Sequence, residues 1–193
     1  KVLRGPEEDG EGAWKSREFE IVREMVKIES VVRLKLDGGV GYVRIIEFSA
    51  KTVDDLTGAL KQLKKEGANS LVIDLRNNPG GLLSAAVETA SLFLGGGKLI
   101  VYTQGRRAEN RQDFTAGPKA PYAEMPLVVL VNGGSASGSE IIAGAMQDHK
   151  RAVVVGQRSY GKASVQSLIP LPDGSGLRLT VARYYTPSGR SIH

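Results

Sequence analysis

The 193-residue sequence contains no cysteine and only two histidines, His149 and His193. Without cysteine the chain can form neither a disulfide nor a thiolate nucleophile. No group of His, Cys and Asp residues has the spacing of metal ligands, so we expect neither a metal nor another cofactor. The sequence also has no apolar run long enough to span a bilayer.

Charge and aromatic content exclude a further class of function. The formal net charge is only +5, the basic residues are scattered, and aromatic residues make up 6% of the chain. A nucleic-acid-binding surface would need clustered Arg and Lys with stacking aromatics, so we expect no nucleic-acid partner. The length suits a single ordinary core.

The most informative stretch is an apolar strand that runs into a glycine- and serine-rich turn. Leu127–Val131 shows no polar alternation, which is typical of a parallel strand covered on both faces. Gly133 and Gly134 favour a turn, and a helix is predicted to begin among the serines at 135, 137 and 139. A hydroxyl there lies beside free backbone N–H groups at the positive helix end, which suits a nucleophile.

Ser137 has two interpretations at this point. It can be a nucleophile, or it can simply cap the helix, because Ser137-x-x-Glu140 also fits a capping box. A nucleophile needs a base, and His149 is predicted at the far end of the same helix, more than about 12 Å away. Lys162 is the alternative, since a desolvated lysine can act as a neutral amine. Its small and apolar neighbours predict a dry site, although most lysines are solvated surface charges.

Three glycines are candidates for binding an oxyanion through their backbone N–H groups. Gly80 and Gly81 follow a second apolar strand at residues 70–75, and Gly138 follows Ser137. Turns after neighbouring parallel strands lie at the same edge of a sheet, so these N–H groups can converge on one carbonyl oxygen. A plain helix entry explains Gly80 and Gly81 equally well, and the sequence does not select the donor.

Several separated motifs resemble the carboxyl-terminal processing (tail-specific) proteases. They are residues 74–81 (DLRNNPGG), 132–140 (NGGSASGSE), 148–149 (DH), 161–166 (GKASVQ) and 186–190 (TPSGR). The resemblance implies a Ser–Lys dyad in which Ser137 is the nucleophile, Lys162 the general base and Gln166 the residue that orients the lysine. Asp148 matches an acidic position that supports activity or closes the helix.

Two residues depart from the family's motif, and the spacing of Gln166 from Lys162 is long for a direct contact. Gly138 stands where alanine is usual and Ala163 where glycine is usual, and Gly138 is expected to loosen the turn that aims Ser137. In a straight strand Gln166 would lie about 13 Å from Lys162. It can reach the lysine only if residues 161–164 curl.

The order of predicted elements gives an α/β (α+β) fold. We predict strands at residues 40–46, 70–75 and 152–156, helices beginning near Thr52 and Leu83, and a polar surface loop at 103–125. Residues 165–171 and 177–185 predict a terminal hairpin. The resemblance implies a crotonase- or Clp-protease-like spiral of ββα units.

The resemblance also implies a domain division. Residues 1–30, in particular 3–6 and 19–24, resemble the closing strands of a PDZ module plus a connecting strand. Residues 31–193 would then be the catalytic core, cut short at its C-terminal end. A natural short protein that starts with a β-hairpin is the alternative.

The implied function is a serine endopeptidase that cleaves unfolded polypeptides with apolar carboxyl ends. A regulatory or adaptor protein and an oligomer are possible partners, and the family's location is extracytoplasmic: the bacterial periplasm or cell envelope, or the thylakoid lumen. Two rival functions are a crotonase-like acyl-coenzyme A enzyme and a catalytically silent peptide-binding scaffold.

Overall fold

The computed structural model describes residues 2–4, 15–20 and 29–192. Its elements, in chain order, are β1 (Val2–Arg4), β2 (Lys15–Arg17), β3 (Val31–Leu36), β4 (Val40–Ile45), α1 (Thr52–Lys65), β5 (Ser70–Asp74), α2 (Leu83–Ser91), β6 (Leu99–Gly105), β7 (Arg111–Thr115), β8 (Leu127–Val131), α3 (Gly138–Asp148), β9 (Val153–Gly156), β10 (Ser164–Pro170) and β11 (Gly176–Tyr185). The predicted mixed α/β class with a terminal hairpin is confirmed.

A five-stranded sheet has the order β3-β4-β5-β8-β9. The last four strands are parallel because each is joined to the next by a segment that contains a helix, whereas β3 pairs antiparallel with β4. Asp74 of β5 is in register with Leu130 of β8, so the turns that follow these two strands emerge side by side. Those turns carry residues 75–82 and 132–137.

The core lies between one face of this sheet and the three helices. Alternate strand residues such as Ile73 and Val129 are fully buried in a cluster with the apolar stripe of α1, formed by Leu56, Leu60 and Leu63. The period of 3.6 residues places that stripe on one side of the helix. Gly67, at φ +89°, follows the helix end in the conformation that glycine adopts most readily.

The prediction that β8 is covered on both faces is wrong for the part of the chain that the structure describes. Val128 and Leu130 are only half-buried, and Val153 and Val155 of the neighbouring β9 are exposed. The described helices all pack on the opposite face, so apolar composition alone did not distinguish one covered face from two.

A second sheet, antiparallel throughout and ordered β10-β11-β6-β7, packs against α2 and α3. The predicted loop at 103–125 is therefore wrong in part, because β6 continues to Gly105 and pairs with β7. The strand β7 is exposed and polar: Arg111 lies over the Tyr102 ring at 3.9 Å and bonds Asp113 at 2.7 Å. An edge strand with this composition resembles a surface loop in sequence.

The N-terminal strands form a separate ladder in which Leu3 pairs with Ser16. Phe19 and Glu20 are not in a strand, and the rest of the predicted 19–24 strand lies outside the described residues. The division at residue 30 remains a prediction. Within the described ranges, no helix has the length and apolarity needed to cross a membrane.

Candidate active site

Ser137 lies at the sharp turn between β8 and α3 in a conformation that is rare for a residue with a side chain. Its φ and ψ are 51° and −110°, and α3 begins at the next residue. Such strain costs about 1–3 kcal/mol and persists where surrounding structure imposes it, often at a nucleophile elbow. The predicted turn at Gly133 and Gly134 is confirmed: Ser135 N donates to Asn132 O at 2.9 Å across it, and neither glycine has a positive φ.

Hydrogen bonds of the two flanking serines hold this turn against the neighbouring one. The Ser135 hydroxyl donates to the Leu75 carbonyl at 2.7 Å, and the Ser139 hydroxyl donates to the Asn78 carbonyl at 3.0 Å. Both flanking serines are fully buried, whereas Ser137 is partly exposed. Of the three serines, Ser137 is therefore the one that can meet a substrate.

Two asparagines clasp the same two turns at their outer side. Asn132 Nδ2 donates to Asn77 Oδ1 at 2.9 Å, while Asn132 Oδ1 accepts from the backbone N–H groups of Asn77 and Gly134 at 2.9 and 3.0 Å. Asn77 has φ 60°, which asparagine tolerates better than most residues. A Cβ on Gly134 would lie 2.7 Å from Asn77 Oδ1, so glycine permits this close approach.

The turn that carries Gly80 and Gly81 lies directly against Ser137. A Cβ on Gly80 would lie 2.7 Å from the Ser137 Cβ, and both glycines have positive φ. The Gly80 N–H is already bonded to Asn78 Oδ1 at 2.8 Å. Among the described residues, no acceptor is bonded to the N–H of Gly81 or of Gly138. The geometry therefore favours Gly81 over Gly80 as a donor beside Ser137.

Phe48 fixes both unoccupied N–H groups. Its backbone accepts from Leu82 N at 2.7 Å and donates to Gly80 O at 2.9 Å, which makes a bridge on either side of Gly81. Its ring lies where a Cβ on Gly138 would project, 2.9 Å from Cδ2. The Phe48 ring thus fills the space that an alanine side chain at position 138 would need, and the loosening expected at Gly138 stays a prediction.

Glu140 connects Ser137 to the segment that carries Lys162. Glu140 is only 4% exposed, and its carboxylate accepts four hydrogen bonds. Oε2 accepts from Ser137 N at 2.8 Å and from Lys162 N at 2.9 Å. Oε1 accepts from Gly161 N at 2.6 Å and from the Ser159 hydroxyl at 2.7 Å. The capping box that Ser137-x-x-Glu140 predicts is confirmed, and its glutamate also holds the neighbouring segment.

The expectation that Lys162 enters a dry site is wrong for this structure, because its side chain is exposed. Lys162 lies in an irregular segment before β10, where only its backbone N–H is held by Glu140. Apolar neighbours in sequence do not fix where a long, flexible side chain ends. Within the part of the chain that the structure describes, no hydrogen bond joins the Ser137 hydroxyl to the Lys162 amine.

The segment before Gln166 is curled, which is the condition for Gln166 to reach Lys162. Ala163 N donates to Gly161 O at 3.2 Å, and Gly161 has φ 88°. A register shift follows between Val165 and Gln166. Gln166 itself is exposed on β10, and within the described part of the chain its side chain makes no hydrogen bond to Lys162.

Asp148 lies at the far end of α3, about 16 Å from Ser137 by helical rise. Its carboxylate accepts from Ser188 N at 2.9 Å and pairs with the Arg190 guanidinium. Burial would raise the pKa of Asp148, but hydrogen bonds from Thr186, Ser188 and Arg190 outweigh burial and lower the pKa to about 2. His149, as predicted, is also at this end, with Nε2 2.6 Å from Leu99 O.

Sequence reasoning missed three contributors to the site: Asn77, Asn132 and Phe48. Asn77 and Asn132 lie within the motifs already singled out, and asparagine after an apolar strand is a usable signal for a turn. Phe48 precedes the predicted helix at Thr52, and nothing in its local pattern indicates contact with Gly138.

Comparison with known proteins places this geometry in a family. The family model "Peptidase family S41" matches residues 39–193. A carboxy-terminal-processing protease of Bartonella bacilliformis is 45% identical over 185 residues, which covers 94% of this chain and 42% of the relative. The chloroplastic carboxyl-terminal-processing peptidase 1 of Arabidopsis thaliana is 46% identical over 162 residues, covering 82% of this chain and 33% of the relative.

A solved structure agrees with these relatives. The photosystem II D1 C-terminal processing protease superposes with a TM-score of 0.78 at 36% identity, covering 89% of this chain and 47% of that one. The chain thus spans less than half the length of these proteins. From the matched family model and the shared fold, we conclude that the chain belongs to peptidase family S41.

Proposed function

We propose that the chain is a serine endopeptidase that cleaves polypeptides near their carboxyl ends through an acyl-enzyme. The observation that carries this proposal is the strained elbow at Ser137, with the unoccupied N–H groups of Gly81 and Gly138 beside it. Donors held in place before reaction stabilise an oxyanion without reorganisation, and each contributes about 3–4 kcal/mol in known cases.

In the proposed acylation, Ser137 Oγ attacks the carbonyl carbon of the scissile peptide bond. The hydroxyl proton moves to the neutral Lys162 amine, and the carbonyl oxygen becomes an oxyanion bonded by the Gly81 and Gly138 N–H groups. Collapse of this intermediate breaks the C–N bond, and Lys162 returns the proton to the leaving amine. A water molecule then hydrolyses the acyl-enzyme with Lys162 again as base.

Lys162 becomes an effective base when substrate covers it. The side chain is exposed, so a bound polypeptide would displace water from the amine and favour its neutral form. Glu140 already fixes the backbone N–H groups of Ser137 and Lys162 on one carboxylate oxygen, so only the lysine side chain must move. Gln166 is the proposed orienting residue, and Asp148 supports the fold at the far end of α3.

The names of the relatives support the choice of substrate. Those proteins are named for processing carboxyl termini, and one for processing the photosystem II D1 protein. We assign unfolded polypeptides with apolar carboxyl ends to this chain by analogy. An adaptor or regulator, an oligomer, an adjoining PDZ module and an extracytoplasmic location belong to the same proposal. Four relatives are named as chloroplastic.

A serine-directed fluorophosphonate probe tests the proposal. The unsubstituted protein should be labelled, and Ser137→Ala should lose both labelling and peptidase activity, the latter by about 10⁴-fold or more. Lys162→Arg should be inactive because a guanidinium stays protonated. Absence of labelling would favour a silent scaffold. Hydrolysis of acyl-coenzyme A by Ser137→Ala would favour a crotonase-like enzyme.

A further inference from the structure

The hairpin β10–β11 has an unpaired edge that begins beside Lys162. Strand β10 starts two residues after Lys162 and is the outermost strand of its sheet. Among the described residues, β11 is its only partner. A strand edge of this kind offers backbone N–H and C=O groups that an extended peptide can pair with.

The register of the hairpin identifies the groups that point outward. Leu171 N donates to Ser175 O at 2.8 Å, so this pair is hydrogen-bonded across the hairpin. Antiparallel pairs alternate, and no irregularity interrupts β10 after Gln166, so Ile169 also faces β11. Gln166 and Leu168 therefore direct their N–H and C=O groups to the free edge. Pro170, which has no N–H, also falls at an outward position, as expected for a proline in a strand.

One face of the same hairpin is apolar and uncovered by the described residues. Its aliphatic side chains are between 39% and 47% exposed, and they are Ile169, Leu171, Leu177 and Leu179. Because side chains alternate along a strand, every second residue of a strand added to β10 would extend this apolar face. The free edge and the apolar face thus both favour an extended peptide with apolar residues at alternate positions.

We propose that the substrate polypeptide binds as an added strand along the free edge of β10, with apolar residues at alternate positions. This inference rests on the proposed function, because the edge begins at Lys162. The seven residues of β10 span about 20 Å, so it would hold a substrate segment of roughly six residues. The hydrogen bonds come from the backbone N–H groups of Gln166 and Leu168, so they select extended, unfolded chain rather than a particular sequence.

Leu168→Pro tests the edge with a matched control. The substitution removes the outward N–H of residue 168 and keeps the hydrogen bonds between β10 and β11. Pro170, at the next outward position, already lacks an N–H in the same way. Arg178 is the cross-strand partner of Leu168, and β6 pairs with β11 only from Ala182, so Arg178→Pro removes an N–H from the opposite edge of the same hairpin. Leu168→Ala keeps the N–H and controls for the side chain.

For Leu168→Pro we expect kcat/KM on a ten-residue fluorogenic peptide to fall about three- to tenfold through KM. Hydrolysis of a small chromogenic ester and fluorophosphonate labelling should stay within twofold. Arg178→Pro and Leu168→Ala should stay near the unsubstituted protein in both assays. The proposal would be overturned if Leu168→Pro cleaved the peptide as well as the unsubstituted protein does. It would also be overturned if Arg178→Pro lost as much kcat/KM as Leu168→Pro. Loss of an oligomer in light scattering with unchanged KM would mean that a second copy occupies it, which also overturns the proposal.

Peptides methylated on single backbone nitrogens provide the second measurement, and they need no substitution that affects folding. We would measure their binding to Ser137→Ala by fluorescence anisotropy. Methylation should weaken binding at every second position of the peptide and leave it unchanged at the positions between. Weakening without this period, or at no position, would refute strand addition. Because binding to Ser137→Ala requires no catalysis, this result is independent of whether the unsubstituted protein reacts with the ester and the probe.

Discussion

The side chains of Asn77 and Asn132 bond each other across the turns that end β5 and β8, with Nδ2 of Asn132 2.9 Å from Oδ1 of Asn77. The first turn carries Gly81, and the second leads to Ser137. The distance between Ser137, the proposed nucleophile, and Gly81, a proposed oxyanion donor, is therefore set in part by two side chains that are 55 residues apart.

Asn77→Gly should lower kcat about three- to tenfold with little change in KM, because glycine retains the positive φ but loses the acceptor. Asn132→Ala should cost more, since it removes all three clasp bonds. Steady-state kinetics and thermal unfolding are the measurements. A drop in melting temperature without a change in kcat would mean that the clasp stabilises the fold only.

Glu140→Gln should lower activity by roughly 5- to 150-fold. The amide nitrogen of glutamine would face N–H or O–H groups that now donate to the carboxylate, so two donors would meet. A buried donor left without an acceptor costs about 1–3 kcal/mol. Peptide hydrolysis and urea unfolding should be measured together, with exposed Glu88→Gln on α2 as control. Full activity in Glu140→Gln would show that the shared carboxylate is dispensable.

Phe48 and Gly138 should behave as a coupled pair. Gly138→Ala places a Cβ 2.9 Å from the Phe48 ring, so the ring must shift and with it the bridge beside Gly81. Phe48→Leu makes room at the cost of a small cavity, of about 1 kcal/mol. We expect the double variant to recover part of the activity lost in Gly138→Ala, and strictly additive losses would contradict the coupling.

Asp148 should make stability depend on pH in the acid range. Its pKa is lowered to about 2 in the folded protein from an ordinary value of 3.8, so its contribution is present above pH 4 and is lost as the pH falls toward 2. Asp148→Asn should therefore be less stable by on the order of 2 kcal/mol at neutral pH, with the difference vanishing near pH 2. Urea unfolding at several pH values measures this difference in the free energy of unfolding, with the exposed Asp37→Asn as control. If the difference did not change with pH, the charge of Asp148 would not be its cause.

The sequence was sufficient where a local pattern has one physical outcome. The hairpin follows from alternating strands around residues 172–176, and a serine-bearing helix start follows from an apolar strand, a glycine turn and a helix, whereas the choice of Ser137 among three serines came from the resemblance. It was insufficient where the outcome depends on distant partners. The exposure of Lys162, the clasp between Asn77 and Asn132 and the polar edge strand β7 each depend on contacts that no window of neighbouring residues contains.

Glu140 holds the chain at Ser137 and Lys162 by their main-chain nitrogens, and its carboxylate bonds neither of their side chains. Replacing either side chain therefore removes chemistry without releasing the backbone. A Ser137→Ala protein should keep the backbone geometry of the intact site and retain bound polypeptides that it can no longer cut. Such a variant would act as a trap, and the chains recovered with it would identify the natural substrates.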